Sequence, residues 1–349
     1  MSDASTKPTI RTLARDLGLS ATTVSEALRN HPRVNAVTRD RVRVRAREVG
    51  YHFNPLASSL LSEVRRKRLS QFQGVLAAVD LVEPARPSIS GSYLRDLARG
   101  ATDRAAQLGF KVERFSIGRR GLTIQRLDTV LHTRGIRGVL IMPAWQHPNF
   151  TQLNWTHFAG AYADYLIERP ALHSVCPDHH RAMMSIMDHL ETLGYRRPGL
   201  VLQRQQTDRL QRRWDAGFLA HRESRGIEPI PLLVPEKLER EAFQAWFRKH
   251  RPDVVIGHSA EIVDWMTACG AHVPHSHGFC CLNIGLNSAP CAGIDLQPYE
   301  IGVHAIELVI AQIHHNSYGI PDVPCTTTVP CRWVDGPTLP TSPIGRPAS

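Results

Sequence analysis

Apolar residues recur at helical spacing in two short runs near the start of the chain. Leu13, Ala14 and Leu17 line one face of a helix that Gly18 ends, because glycine takes the left-handed backbone that closes helices. Ser20 is a good N-cap for the next run, in which Val24, Ala27 and Leu28 point inward and Ala21, Thr22, Ser25, Glu26 and Arg29 lie outward. A third helix is expected with Thr38 as N-cap, Val42, Ala46 and Val49 as its stripe, Gly50 as its stop and five arginines (39, 41, 43, 45, 47) on its other face. The pattern is that of a helix-turn-helix backed by a third helix.

From Phe72 the rhythm changes to short apolar runs alternating with helical segments. Strands are expected at Gly74–Val79, Phe110–Ser116, Gly138–Met142 and Phe158–Tyr162, with helices at Ser92–Leu108 and Ile124–Thr133. The rhythm restarts near Ser174, with helices at Asp178–Leu193, Arg209–Arg225, Leu238–His250 and Glu261–Cys269. Strands at Gly199–Leu202, Leu232–Val234, Val254–Ile256 and Phe279–Leu282 go with them. Such alternation predicts two consecutive α/β lobes, each a doubly wound parallel sheet with helices on both faces. The chain thus divides into an all-α helix-turn-helix domain at 1–53, a linking segment at 54–71, and a two-lobed domain at 72–334. A Pro- and Ser-rich tail, expected to be disordered, occupies 335–349.

Charge sharpens the division. Residues 1–70 hold 14 Lys and Arg against 6 Asp and Glu, so eight of the ten net positive charges sit in a fifth of the chain. A basic, polar helix face beside a helix-turn-helix points to double-stranded DNA as the partner. No apolar run approaches a membrane span and Met1–Pro8 has no leader pattern, so a cytoplasmic location and no membrane contact are expected. All seven cysteines lie beyond the DNA-reading part and none forms a CxxC pair, so buried free thiols are expected. The histidines at 258, 272, 275 and 277 lack zinc-ligand spacing, and no metal or cofactor is expected. Neither a phosphate loop, GxSxG, a strand-following GxGxxG nor a paired-carboxylate motif occurs, which argues against an enzyme.

Leu19-Ser20 with Thr23-Val24-Ser25, His31-Pro32-Arg33-Val34, Thr38 to Val42, Gly50-Tyr51, Asn54-Pro55 and Ala57 to Leu60 stand at spacings that resemble the lactose-repressor (LacI/GalR) family of transcription regulators. The large domain resembles that family's regulatory part at Tyr93, Gly100, Gly109-Phe110, Gly138 to Leu140, Asp178, His189-Leu190, Leu193 to Tyr195 and Gly217-Phe218, though more patchily. The resemblance implies a homodimer that binds a palindromic operator, and a periplasmic-binding-protein-like domain whose chain crosses between lobes three times. Lobe 1 is then expected at about 72–170 plus 298–324 and lobe 2 at about 171–297 plus 325–334. It also implies a hinge helix starting at Asn54, with Leu60 wedging into the minor groove. Expected DNA contacts are Thr9, Ser20, Ala21, Thr22, Thr23, Ser25, Glu26, Arg29, Asn30, Arg33, Asn54, Ala57 and Leu60.

Between the lobes the family holds a small-molecule effector. Where its sugar-responsive members carry an arginine, an Asn-Asp pair and a further aspartate, this chain has Trp214, His258-Ser259 and Asn283. The implied pocket residues are Tyr93, Asp164, Asp178, Trp214, His258 and Asn283, and the missing charges predict that common sugars do not bind. The expected function is a sequence-specific regulator, a repressor, with small-molecule control. The rivals are a DNA-binding regulator with no effector, its cleft packed shut by Trp214, and a sugar-type solute-binding protein.

Overall fold

The computed structural model describes residues 10–28, 31–49, 72–84, 86, 91–118, 122–146, 149–165, 169–226 and 229–342. The expected hinge helix and linker lie outside them, as do Thr9, Arg29, Asn30, Asn54, Ala57 and Leu60 among the expected contacts.

Three helices open the chain: α1 (Ile10–Leu17), α2 (Ala21–Leu28) and α3 (Ala36–Glu48). Gly18, at φ +66°, turns the chain between the first two. Ser20 Oγ accepts from the Thr23 N–H at 3.0 Å and so caps α2. The cap of α3 is Asn35 rather than Thr38: its backbone is extended and its Oδ1 accepts from the Thr38 N–H at 2.8 Å, which puts Thr38 inside the first turn. The core of this small unit is Leu13, Ala14, Val24, Ala27, Val34, Val42 and Ala46, all buried.

The large domain contains two sheets. The first takes β1 (Gly74–Leu81), β2 (Phe110–Ile117), β3 (Gly138–Ile141), β4 (Ala159–Tyr162), β5 (His173–Pro177) and β10 (Thr326–Val329) in the order β10-β5-β4-β3-β1-β2, every neighbouring pair parallel. Strand alternation sends Leu76, Ala78, Leu140 and Ala161 to one face, beneath α4 (Gly91–Gln107) and α11 (Pro298–His315). Ala77, Val79, Val139 and Tyr162 go to the other, beneath α5 (Ile124–Thr133). Helices α4 and α11 approach until backbone meets backbone: a Cβ on Gly100 would lie 2.0 Å from the Tyr299 carbonyl oxygen, and one on Gly302 2.0 Å from that of Leu97.

The second sheet takes β6 (Pro198–Leu200), β7 (Val254–Gly257), β8 (Gly278–Cys281), β9 (Gly293–Asp295) and β11 (Arg332–Val334) in the order β11-β9-β8-β7-β6, with only β11 antiparallel. One face is covered by α6 (His179–Thr192) and α8 (Arg213–Arg225), the other by α9 (Arg240–His250) and α10 (Glu261–Thr267). The chain passes between the sheets after Pro177, after Asp295 and after Val329, the expected three crossings.

Four expectations need correction. The run restarting near Ser174 is the last inner strand of the first sheet, bonded to β4 and β10, so lobe 1 extends through Pro177 and takes back Thr326–Val329. The helix expected from Arg209 to Arg225 starts only at Arg213: Arg209 ends a preceding helix, α7 (Arg204–Arg209), and Gln211 and Arg212, both with left-handed backbone, separate the two. Leu232–Val234 reduces to one bridge, Leu233 to Val201. Residues 336–342 of the expected tail are ordered. Leu339 is buried, and the Thr338 hydroxyl accepts from the Ala292 N–H at 2.9 Å and donates to the Phe279 carbonyl at 2.8 Å.

Candidate functional site

On α2, burial of Val24 and Ala27 leaves Ala21 and Thr22 exposed, with Ser25 and Glu26 beside them half-buried. Ser20 and Thr23 hold one another, Oγ to Oγ1 at 2.8 Å, while Ser20 also caps the helix, so these two expected contacts have a structural duty as well. Arg33 is exposed in the turn that leads to α3. The arginines of α3 do not form the single face expected of them, because residues two apart diverge by about 200° around a helix. Arg39 donates to the Val34 carbonyl at 3.1 Å, and Arg45 pairs with Asp16 on α1 at 3.1 Å and with Glu48 at 3.2 Å. Arg41 and Arg47 stand exposed.

The second candidate is a cavity of about 100 Å³ between the lobes, lined among others by Tyr93, Asp164, His258 and Asn283. Four of the six expected pocket residues therefore meet there. The other two do not line it. Asp178 is the N-cap of α6, accepting from the Arg181 N–H at 3.1 Å. Trp214 is 1% exposed and belongs to the core of lobe 2, its indole 4.7 Å from the His179 ring and 6.3 Å from that of His258. A cavity thus remains with Trp214 behind its wall rather than plugging it.

Sequence reasoning missed Arg86, His179 and Arg209, which also line the cavity. Arg209 reaches from lobe 2 to Asp164 of lobe 1 at 2.6 Å and to the Ala144 carbonyl at 3.2 Å. Ser92 Oγ adds a bond to the Gly285 carbonyl at 2.8 Å, and the Arg213 guanidinium lies 4.0 Å from the Tyr165 ring centre. Arg86 is held by Glu83 at 2.5 Å, by Asp80 at 3.2 Å and by the Pro143 carbonyl at 2.9 Å.

Burial and, next, the charge of Arg209 lower His258 to about 4 and hold His179 well below the usual histidine range. Both imidazoles are therefore neutral at pH 7. Among the described residues neither ring nitrogen of His258 has a hydrogen-bond partner, nor has Nδ1 of His179. Desolvation followed by the Asp164 charge raises the Tyr93 hydroxyl, which stays a phenol and a hydrogen-bond donor.

Cys176, Cys280, Cys281 and Cys291 are buried free thiols as expected, whereas Cys325 is exposed. Among the described residues the one cluster with metal-ligand spacing is Asp188, Glu191 and His221, and Arg225 lies against both carboxylates at 3.5 and 3.8 Å, where a cation would have to sit. No helix among the described residues is long and apolar enough to cross a membrane.

Residues 9–54 match the bacterial regulatory proteins of the lacI family, and residues 187–339 match the periplasmic binding protein-like domain. The HTH-type transcriptional regulator AglR of Rhizobium meliloti (strain 1021) is 37% identical over 99 residues, 27% of this chain and 25% of that one, so the match spans a quarter of that relative's length. The HTH-type transcriptional regulator Rv3575c of Mycobacterium tuberculosis (strain ATCC 25618 / H37Rv) is 26% identical over 251 residues, 67% of each chain. Among solved structures, the transcriptional regulator CelR in complex with cellobiose superimposes with a TM-score of 0.57 at 16% identity, over 95% of this chain and 99% of that one. The lac repressor dimer bound to operator and the anti-inducer ONPF does so with a TM-score of 0.54 at 16% identity and the same coverage. At such identities the likeness is one of fold. The chain thus joins the helix-turn-helix of the lacI family of bacterial regulatory proteins, at residues 9–54, to a periplasmic binding protein-like domain matched over residues 187–339.

Proposed function

We propose that the protein is a homodimeric repressor that binds a palindromic operator, with α2 in the major groove and the interlobe cavity as the site of a small-molecule effector. The observation that carries the first part is the outer face of α2, where small and polar Ala21, Thr22, Ser25 and Glu26 stand free of the core beside the basic α3. A helix with bulky apolar residues there would be an interface with protein instead. Ala21 suits a thymine methyl, and the Glu26 carboxylate can accept from cytosine N4.

In-vitro selection followed by footprinting is the test. One symmetric protected site at moderate salt is expected, and uniform coating of DNA would refute the reading. Glu26→Gln is expected to change base preference at one symmetric pair of positions, and an unchanged profile would remove Glu26 from base reading.

A further inference from the structure

Arg209 uses its guanidinium unevenly. Nη1 serves both protein acceptors, the Asp164 carboxylate and the Ala144 carbonyl, while Nε is sealed from water with no acceptor. No contact among the described residues takes Nη2 either. The edge made by Nε and Nη2 offers two parallel N–H donors, the geometry that matches a carboxylate in bidentate fashion.

Two further donors line the same cavity without a hydrogen-bond partner among the described residues. They are the side-chain amide of Asn283, in a residue 5% exposed, and the hydroxyl of Tyr93. The nearby carboxylates are already taken. Asp164 accepts from Arg209 and from the Tyr165 N–H, and Glu83 accepts from Arg86 and from the N–H groups of Trp145 and Gln146. What the cavity leaves open is thus the donor edge of Arg209 beside groups that can either donate or accept, the amide of Asn283, the hydroxyl of Tyr93 and the neutral rings of His179 and His258.

The rest of the wall is apolar, with Leu94, Pro143, Leu286 and Leu296. A volume of about 100 Å³ is smaller than the roughly 150 Å³ of a protein cavity that admits benzene, so the apolar part of a guest must be short. A disaccharide exceeds this space, and a cation meets Arg209.

We propose that the cleft takes a small carboxylic acid with a compact apolar body, its carboxylate on the Nε and Nη2 edge of Arg209 and its body against Leu94, Leu286 and Leu296. This rests on the reading of the cleft as the effector site and names the class of effector.

The full chain is titrated calorimetrically and by thermal shift with 3-methylbutanoate and 2-methylpropanoate, with their neutral amides, and with glucose and cellobiose. Saturable stabilisation by an acid and by neither amide nor sugar is expected. Arg209→Lys keeps the charge beside Asp164 but loses the two-donor edge, and Arg209→Gln loses both. Each is expected to weaken the acid about 10-fold to 100-fold, the scale of a lost hydrogen bond to a charged group, with circular dichroism unchanged. Asn283→Ala weakens it less. Stabilisation by an amide or a sugar instead overturns the acid class and leaves the effector site standing. Absence of stabilisation by every compound, with operator binding intact, overturns the acid class and counts against the effector site as well.

Discussion

His258 shows what position does to a residue whose ordinary chemistry is to titrate near neutrality. Its pKa of about 4 lies below the roughly 6.5 of an unfolded chain, so between these values the unfolded state binds the proton that the folded state refuses. Stability is therefore intact above about pH 6.5 and is lost as the pH falls toward 4, by about 2 kcal/mol between pH 6.5 and 5. Urea unfolding at pH 7 and pH 5 should show this loss in the wild type and a smaller one in His258→Gln, and equal losses would mean that His258 is protonated in the folded protein. The cavity was legible in sequence only in part. Tyr93, Asp164, His258 and Asn283 could be placed by family spacing, but Trp214 was misplaced and Arg209 missed. The cause is one break in the chain: left-handed Gln211 and Arg212 rotate α8 against α7, which buries Trp214 and sends Arg209 across the cleft. Neither residue type announces such a backbone, as a glycine would.

Elements were easier to read than their joints, because burial on both sheet faces writes long apolar runs into the strands whereas a cap or a restart depends on a few polar atoms. Thr38 looked like the cap of α3 because it is a good cap by type, but Asn35 lies where the chain turns. Asn35→Ala is expected to cost about 1 kcal/mol and Thr38→Ala much less, measured by thermal unfolding of the DNA-binding domain's transition. The pairing of α4 with α11 makes a harsher test. A methyl on Gly100 or Gly302 would meet a backbone carbonyl at 2.0 Å, which no side-chain rotation relieves, so either glycine-to-alanine change should cost about 3 kcal/mol or more. On α3, Arg47→Ala should weaken binding to all DNA sequences alike and lower the salt slope by about one if that exposed side chain meets a phosphate. Arg45→Ala should instead act through the Asp16 link, with only a small loss of stability and no change in salt slope, since that pair is partly exposed.

At the scale of the molecule, the lobes are tied among the described residues by few polar contacts, of which the Arg209–Asp164 pair is well enclosed, at 25% and 13% side-chain exposure. Removing one partner of such a pair leaves the other charge poorly solvated, at a cost of about 3 kcal/mol. Asp164→Asn should therefore widen the cleft, seen as a larger radius of gyration in solution scattering, and an unchanged radius would show that apolar contacts alone hold the lobes together. The doubly wound architecture and the three crossings could be anticipated, yet the lobe boundary was set too early, since nothing in His173–Pro177 by itself says which sheet it will join. That strand has a further consequence for how the protein is made. Its outer neighbour, Thr326–Val329, is about 150 residues downstream, so a ribosome adding 5–20 residues per second leaves the edge of β5 open for about 8 to 30 s. The whole of lobe 2 up to β9 emerges in that interval, while the three DNA-reading helices, contiguous and first in the chain, are free to fold long before lobe 1 is complete.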